Sequence, residues 1–245
     1  MFKYFRRPVF NDLSVSVRGG ITCLLGPNGA GKSTLMSLMA TQRAPGSGLV
    51  EVLGRDASRA AQREEIRARV GVLAQSYPLV GSMSVVTTVA YAGWAQGLSR
   101  ARAYRQAEAT LEALNLAGIA GRRIRTLSGG QRQRVGLATS MVHEPEFLIL
   151  DEPSAGLDPE ARVGLRRVLL GAAQRCSVLL STHLVDDVVA VSDAIIVLDQ
   201  GQVLFCGGAR ELEAFSQRIP ADVPGTALER GYIAMLEEGR ARASG

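Results

Sequence analysis

A chain of 245 residues, 47% hydrophobic and 21% charged, has the balance of an ordinary globular protein with a sizeable core, in one large domain or two small ones. Its three cysteines, Cys23, Cys176 and Cys206, stand apart with no C-x-x-C spacing, which argues against a disulfide framework or a zinc module and for a reducing, cytosolic setting. The net charge of +5 is local: between Arg100 and Arg134 eight arginines face only Glu108 and Glu112, a balance that suits an anionic partner or simply a solvated helix face. The charged and aromatic first residues lack a secretory pattern. The uncharged stretch 70–99 is broken by Gln75, Pro78 and Gly81, so a spanning helix is not expected there.

In chain order, the alternation of Val9, Leu13, Val15 and Val17 predicts a strand over 9–17, and the apolar run 21–25 a buried one. A helix follows from Lys32 to about Gln42, stopping near Pro45-Gly46. A second strand is expected over 48–53, closing at Gly54, then a charged helix over 58–69 and a strand over 70–73 that ends at Gln75. From Met83 to Met141 the pattern is helical, with Ser99 as N-cap of the stretch 100–114. Strand and helix then alternate at 147–150, 159–173, 178–181 and 184–191. Strands at 194–198 and 202–205 are joined by the turn Asp199-Gln200-Gly201, and two amphipathic segments separated by Pro220 and Pro224 finish the chain. Strands alternating with helices imply an α/β fold with a mostly parallel sheet covered on both faces, and ligands at the carboxyl ends of its strands.

The stretch Gly26-Pro27-Asn28-Gly29-Ala30-Gly31-Lys32-Ser33-Thr34 fits G-x-x-x-x-G-K followed by Ser or Thr without mismatch, between a strand and a helix. Glycines let successive backbone N–H groups turn toward one anion, and the helix adds its positive end. Lys32 then offers a point charge for the β- and γ-phosphates of a nucleotide, and Ser33 an oxygen for Mg²⁺. Only two of the 28 Lys and Arg residues are lysines, Lys3 and Lys32, so this position wants a compact ammonium rather than a planar fork.

Four apolar residues, Phe147-Leu148-Ile149-Leu150, lead into Asp151-Glu152-Pro153. A buried strand would carry Asp151 to the sheet edge beside the phosphate loop as a metal ligand. Glu152, pointing elsewhere, is the candidate general base for an attacking water. Farther back, Ser128 with Gly129 and Gly130 opens a helix and makes a second anion site, or an ordinary capped helix start.

At Leu127-Ser128-Gly129-Gly130-Gln131 the chain resembles the ATP-binding cassette (ABC) family, whose L-S-G-G-Q signature it matches in full. The resemblance covers residues 1 to about 215. It implies a P-loop NTPase of the ABC type, with a mostly parallel sheet, an antiparallel strand region, an inserted helical subdomain at about 83–141, and a short helical tail over 216–245. By the same resemblance Gln75 contacts Mg²⁺ and the attacking water, His183 holds the γ-phosphate, and Ser154-Ala155-Gly156-Leu157-Asp158 crosses to a partner subunit. Either Tyr4 or Phe5 stacks on adenine; spacing favours Tyr4.

Two ATP molecules are implied between head-to-tail copies, with Ser128, Gly129, Gly130 and Gln131 of one covering the nucleotide of the other. A homodimer is expected ahead of a heterodimer. A separate permease is expected to dock near 75–99, where Tyr77, Leu79, Val80, Met83, Val85, Val86 and Val89 could line an apolar groove, while the core of the lobe accounts for more than half of them. The expected role is ATP hydrolysis driving a membrane transporter from the cytoplasmic face, with no nucleic-acid partner. The short form resembles exporters of drugs, antibiotics, peptides or polysaccharides. The alternatives are an importer ATPase, or a soluble ABC ATPase of DNA repair, translation or cofactor assembly.

Overall fold

A computed structural model describes residues 9–10, 12–183, 185–220 and 222–244. Six strands form one sheet: β1 (Ile21–Leu25), β4 (Val70–Leu73), β5 (Phe147–Asp151), β6 (Ser177–Ser181), β7 (Ala194–Asp199) and β8 (Gln202–Gly207). Their order is β4-β5-β6-β1-β7-β8, with every pairing parallel except β7–β8. The crossovers are α1 (Lys32–Met39), α2 (Ala60–Arg69), α3 (Val85–Ala95), α4 (Arg100–Ala113), α5 (Gly129–Met141), α6 (Pro159–Ala173) and α7 (Val185–Val191); α8 (Ala209–Ala214) and α9 (Ala227–Ser244) follow β8.

Burial on both faces explains why these strands read as unbroken apolar runs. Ile21, Cys23 and Leu25 join a cluster with α3–α6 and α9, while Leu24 between them joins the opposite cluster with Leu35 and Met36 of α1 and Ile66 of α2. Alternate residues of one strand thus serve two cores. The fold is α/β with a mostly parallel sheet, and α3, α4 and α5 lie between β4 and β5 in the chain.

Several expected elements change. The segment expected as a strand over 9–17 pairs with no other strand among its described residues, although Phe10, Leu13, Val15 and Val17 pack on the second cluster. Its alternation records one buried face, not a hydrogen-bonded ladder. Helix α1 stops at Met39, because Thr41 takes a φ of 55° and the N–H groups of Gln42 and Arg43 fold back onto the Ser37 carbonyl. The strand expected over 48–53 shrinks to β2 (Glu51–Val52), which turns through Leu53 and Gly54, both at positive φ, into β3 (Arg55–Asp56).

Other boundaries match their local chemistry. Ser99 caps α4 through its hydroxyl, and Asp158 caps α6 ahead of Pro159. Gln200 and Gly201, both at positive φ, make the two-residue β7–β8 turn. The last two amphipathic segments are α8 and α9. Leu228, Ala234 and Met235 of α9 are buried, and at Gly231 an added Cβ would lie 2.0 Å from the Leu212 carbonyl oxygen, so α9 crosses α8 in close contact. Arg240 of α9 reaches Asp199 at 3.7 Å. Among the described residues, no helix is long and apolar enough to cross a membrane.

Candidate nucleotide site

The loop 26–34 leaves β1 at the carboxyl edge of the sheet and opens α1. An added Cβ at Gly26 would lie 2.1 Å from the Leu198 carbonyl oxygen, so only glycine lets the loop sit this close to β7. The β7–β8 turn braces it further, with the Gly201 N–H donating to the Ala30 carbonyl at 3.0 Å. Gly31, at φ 107°, precedes α1 and offers no side-chain cap, which leaves the first N–H groups of the helix directed to an outside acceptor. Lys32 is buried, and its ammonium donates to the carbonyls of Gly26 at 2.6 Å and Pro27 at 3.2 Å. Burial lowers its pKa, while Glu152 and Asp151 nearby oppose the shift.

Parallel pairing places Asp151 of β5 opposite Ser181 of β6. The Ser181 hydroxyl donates to Asp151 Oδ1 at 2.5 Å and accepts the Glu152 N–H at 2.9 Å. Glu152 takes a φ of 53°, a left-handed turn that swings its side chain away from that of Asp151. Its Oε2 lies 2.8 Å from His183 Nδ1. An ionised carboxylate only accepts, so Nδ1 carries the hydrogen.

A cleft of about 430 Å³ is lined by Val9, residues 27–34, Gln75, Asp151 and Glu152. The structure therefore brings together the phosphate loop, Gln75, Asp151 and Glu152, with His183 in contact with Glu152. Ser128, Gly129, Gly130 and Gln131 do not line this cleft. Ser128 and Gly129 are exposed at the start of α5, and Ser128 and Gln131 form a reciprocal cap: the Gln131 N–H donates to the Ser128 hydroxyl oxygen at 3.2 Å and the Ser128 N–H donates to Gln131 Oε1 at 3.1 Å. Tyr4 and Phe5 lie outside the described residues. Ser181 has no assigned role in the sequence reading. Its signal was the pair of equal apolar strands that both end on a polar residue, which fixes Ser181 beside Asp151.

The donors around the cleft fit Mg²⁺. Ser33, Gln75 and Asp151 offer hard oxygens, and among the described residues no set of three His, Cys, Asp or Glu could hold a metal alone. Such a sparse donor set suits a cation whose other ligands are phosphates and water.

The docking groove needs correction. Val85 and Val89 are fully buried and Val86 is half-buried, because that face of α3 packs on α4 and α5. Val80 (57%), Tyr91 (58%) and Trp94 (56%) are the exposed apolar residues there, and Met83, Ala90, Tyr91, Trp94 and Tyr104 line a groove of about 190 Å³ between α3 and α4.

A glycine loop that opens a helix, a buried lysine aimed at its carbonyls, and two acids at the end of β5, a parallel strand separated from β1 by β6, define a P-loop nucleoside-triphosphate-binding protein. The family described as ABC transporter matches residues 10–155, and the chain belongs to that family. It is 38% identical over 220 residues to the Fe(3+) ions import ATP-binding protein FbpC of Agrobacterium fabrum (88% of this chain, 62% of the relative). It is 38% identical over 206 residues to the daunorubicin resistance ATP-binding protein DrrA3 of Streptomyces coeruleorubidus (83% of this chain, 64% of the relative). A solved ATP binding subunit of an ABC transporter superposes with a TM-score of 0.80 at 26% identity, over 95% of both chains. The chain thus spans less than two thirds of the length of these two sequence relatives.

Proposed function

We propose that this chain binds ATP with Mg²⁺ in the cleft and hydrolyses it as the energy-coupling subunit of a membrane transporter. The observation that carries this reading is one sheet edge holding Lys32, Asp151 and the Glu152–His183 pair around the phosphate loop. Lys32 and the N–H groups of 26–34 bind the phosphates. Ser33, Asp151 and Gln75 hold Mg²⁺, which when bound neutralises charge on the β- and γ-phosphates. Glu152 takes the proton of the attacking water, and His183, which contacts that carboxylate, holds the γ-phosphate. Tyr4, ahead of Phe5 by sequence spacing, is the candidate for the adenine contact.

The chain's own Ser128 and Gly129 are exposed and away from the cleft, which supports their use over the ATP of a second copy. The nucleotide-binding domain spans 1–215 and the tail 216–245. A separate permease docks near 75–99, on Val80, Tyr91 and Trp94, and holds the chain at the cytoplasmic face. Export of a drug, antibiotic, peptide or polysaccharide is the proposed direction, supported by the drug-resistance relative at 38% identity. Import is the second reading, favoured by the iron-import relative at the same identity.

Two measurements test this. Glu152→Gln should retain ATP while phosphate release falls by about 10²- to 10⁴-fold, the usual worth of a general base; a wild-type rate would refute the assignment. Pull-down from detergent-solubilised native membranes should recover a polytopic membrane protein with the wild-type chain and lose it with Tyr91→Glu/Trp94→Glu. Recovery of nucleic acid or a soluble assembly factor instead would overturn the transport reading.

A further inference from the structure

Tyr77 lies two residues beyond Gln75, half-buried against the main core cluster. Its ring rests on α5 at Gly136, where an added Cβ would come within 2.5 Å of Cε2 and Cζ. The Tyr77 hydroxyl is 2.6 Å from Gln133 Oε1, with the Arg132 carbonyl farther off at 3.3 Å. The side-chain amide of Gln133 in turn donates to the Pro153 carbonyl at 3.1 Å. The directions are fixed by chemistry: a carbonyl only accepts, so Gln133 shows its NH₂ to Pro153 and its oxygen to Tyr77, which must donate.

This chain of bonds ends beside the catalytic acid. Glu152 holds a left-handed φ, which a non-glycine residue keeps only when its surroundings enforce it. Its N–H is held by Ser181 and its carboxylate by His183. The third restraint is the bond from Gln133 to the next carbonyl, and it starts at Tyr77.

We propose that Tyr77 is a positioning residue for Glu152, acting through the Gln133 amide on the Pro153 carbonyl. The proposal rests on the reading of Glu152 as the base. It also joins three parts that the sequence keeps far apart: the loop of Gln75, the helix that begins at Ser128, and the end of β5.

Tyr77→Phe keeps the ring on Gly136 and removes only the hydroxyl. In ATP turnover by the full chain, kcat should fall about fivefold, the net worth of one hydrogen bond, with KM for ATP unchanged. Gln133→Ala should fall at least as far, and the double variant no farther than Gln133→Ala, because the two residues act as one unit. Amide exchange at 154–157, readable with or without turnover, should quicken in Tyr77→Phe. A wild-type kcat, a change confined to KM, or unaltered exchange at 154–157 overturns the proposal. If Glu152→Gln is dead while Tyr77→Phe is normal, only the relay fails; if Glu152→Gln is active, the base assignment fails first.

Discussion

Gly71 sits inside β4, opposite Leu148, where the end of α5 passes over the sheet. In Gly71→Ala the new Cβ would lie 2.1 Å from the Ser140 carbonyl oxygen and 2.9 Å from Leu148 Cδ1 and Pro145 Cγ. The nearest obstacle is backbone in a buried turn of helix, so no side chain can swing aside. Helix and strand must separate by about 1 Å or more to restore normal contact. Overpacking of this kind costs about 1–3 kcal/mol. The smaller freedom of the unfolded chain returns about 0.4–1 kcal/mol. A net loss of about 1–2 kcal/mol lowers Tm by about 2–8 °C in a chain of this size. The shift has a functional side as well. Helix α5 is about 20 Å long, and its other end carries Ser128 and Gly129, so ATP turnover should fall even at temperatures where the variant is fully folded. Thermal melting by circular dichroism, with phosphate release measured 15 or more degrees below either midpoint (roughly, so that unfolding is negligible), reads both effects. A melting point within about 1 °C of wild type would refute the close packing of this seam.

Lys32→Ala removes a buried ammonium aimed at the phosphate loop, and ATP affinity should fall about 10- to 100-fold, as for a lost charge-assisted hydrogen bond; calorimetry that finds an unaltered Kd sinks that role. His143 gives the pH test. Burial lowers its pKa below the usual 6.5, so the unfolded chain binds the extra proton first. The stability that goes with the neutral ring is full above that pH and is lost as pH falls through the folded pKa. The unfolding free energy of wild type minus that of His143→Gln should therefore shrink from pH 7.5 to pH 5, values bracketing about 6.5, and parallel denaturation profiles would refute it.

Much of the site was legible because its parts are short and local. The phosphate loop, Asp151, Glu152 and Gln75 each stand at the end of an apolar strand, and the parallel order of those strands brings the ends together. Helix α6 runs from Pro159 to Ala173 as expected, since Asp158 and Pro159 fix its start by side-chain chemistry within two residues. What stayed hidden depends on partners distant in sequence. Val85 and Val89 could be assigned to neither groove nor core, because only tertiary packing decides which side of an apolar helix faces water. The stretch 9–17 alternates like a strand, yet strand pairing needs an open neighbour. Nothing in the sequence linked Gln133 to Tyr77, which read only as an apolar surface or core residue; their bond spans 56 residues and exists only because Gly136 leaves room for the ring.

The far end of the chain has a mechanical reach that its sequence position conceals. Helix α9 holds Asp199 through Arg240, and the turn that follows Asp199 props up Ala30 from behind. The last helix and the phosphate loop are thus linked through a single hairpin, although about two hundred residues separate them in the chain.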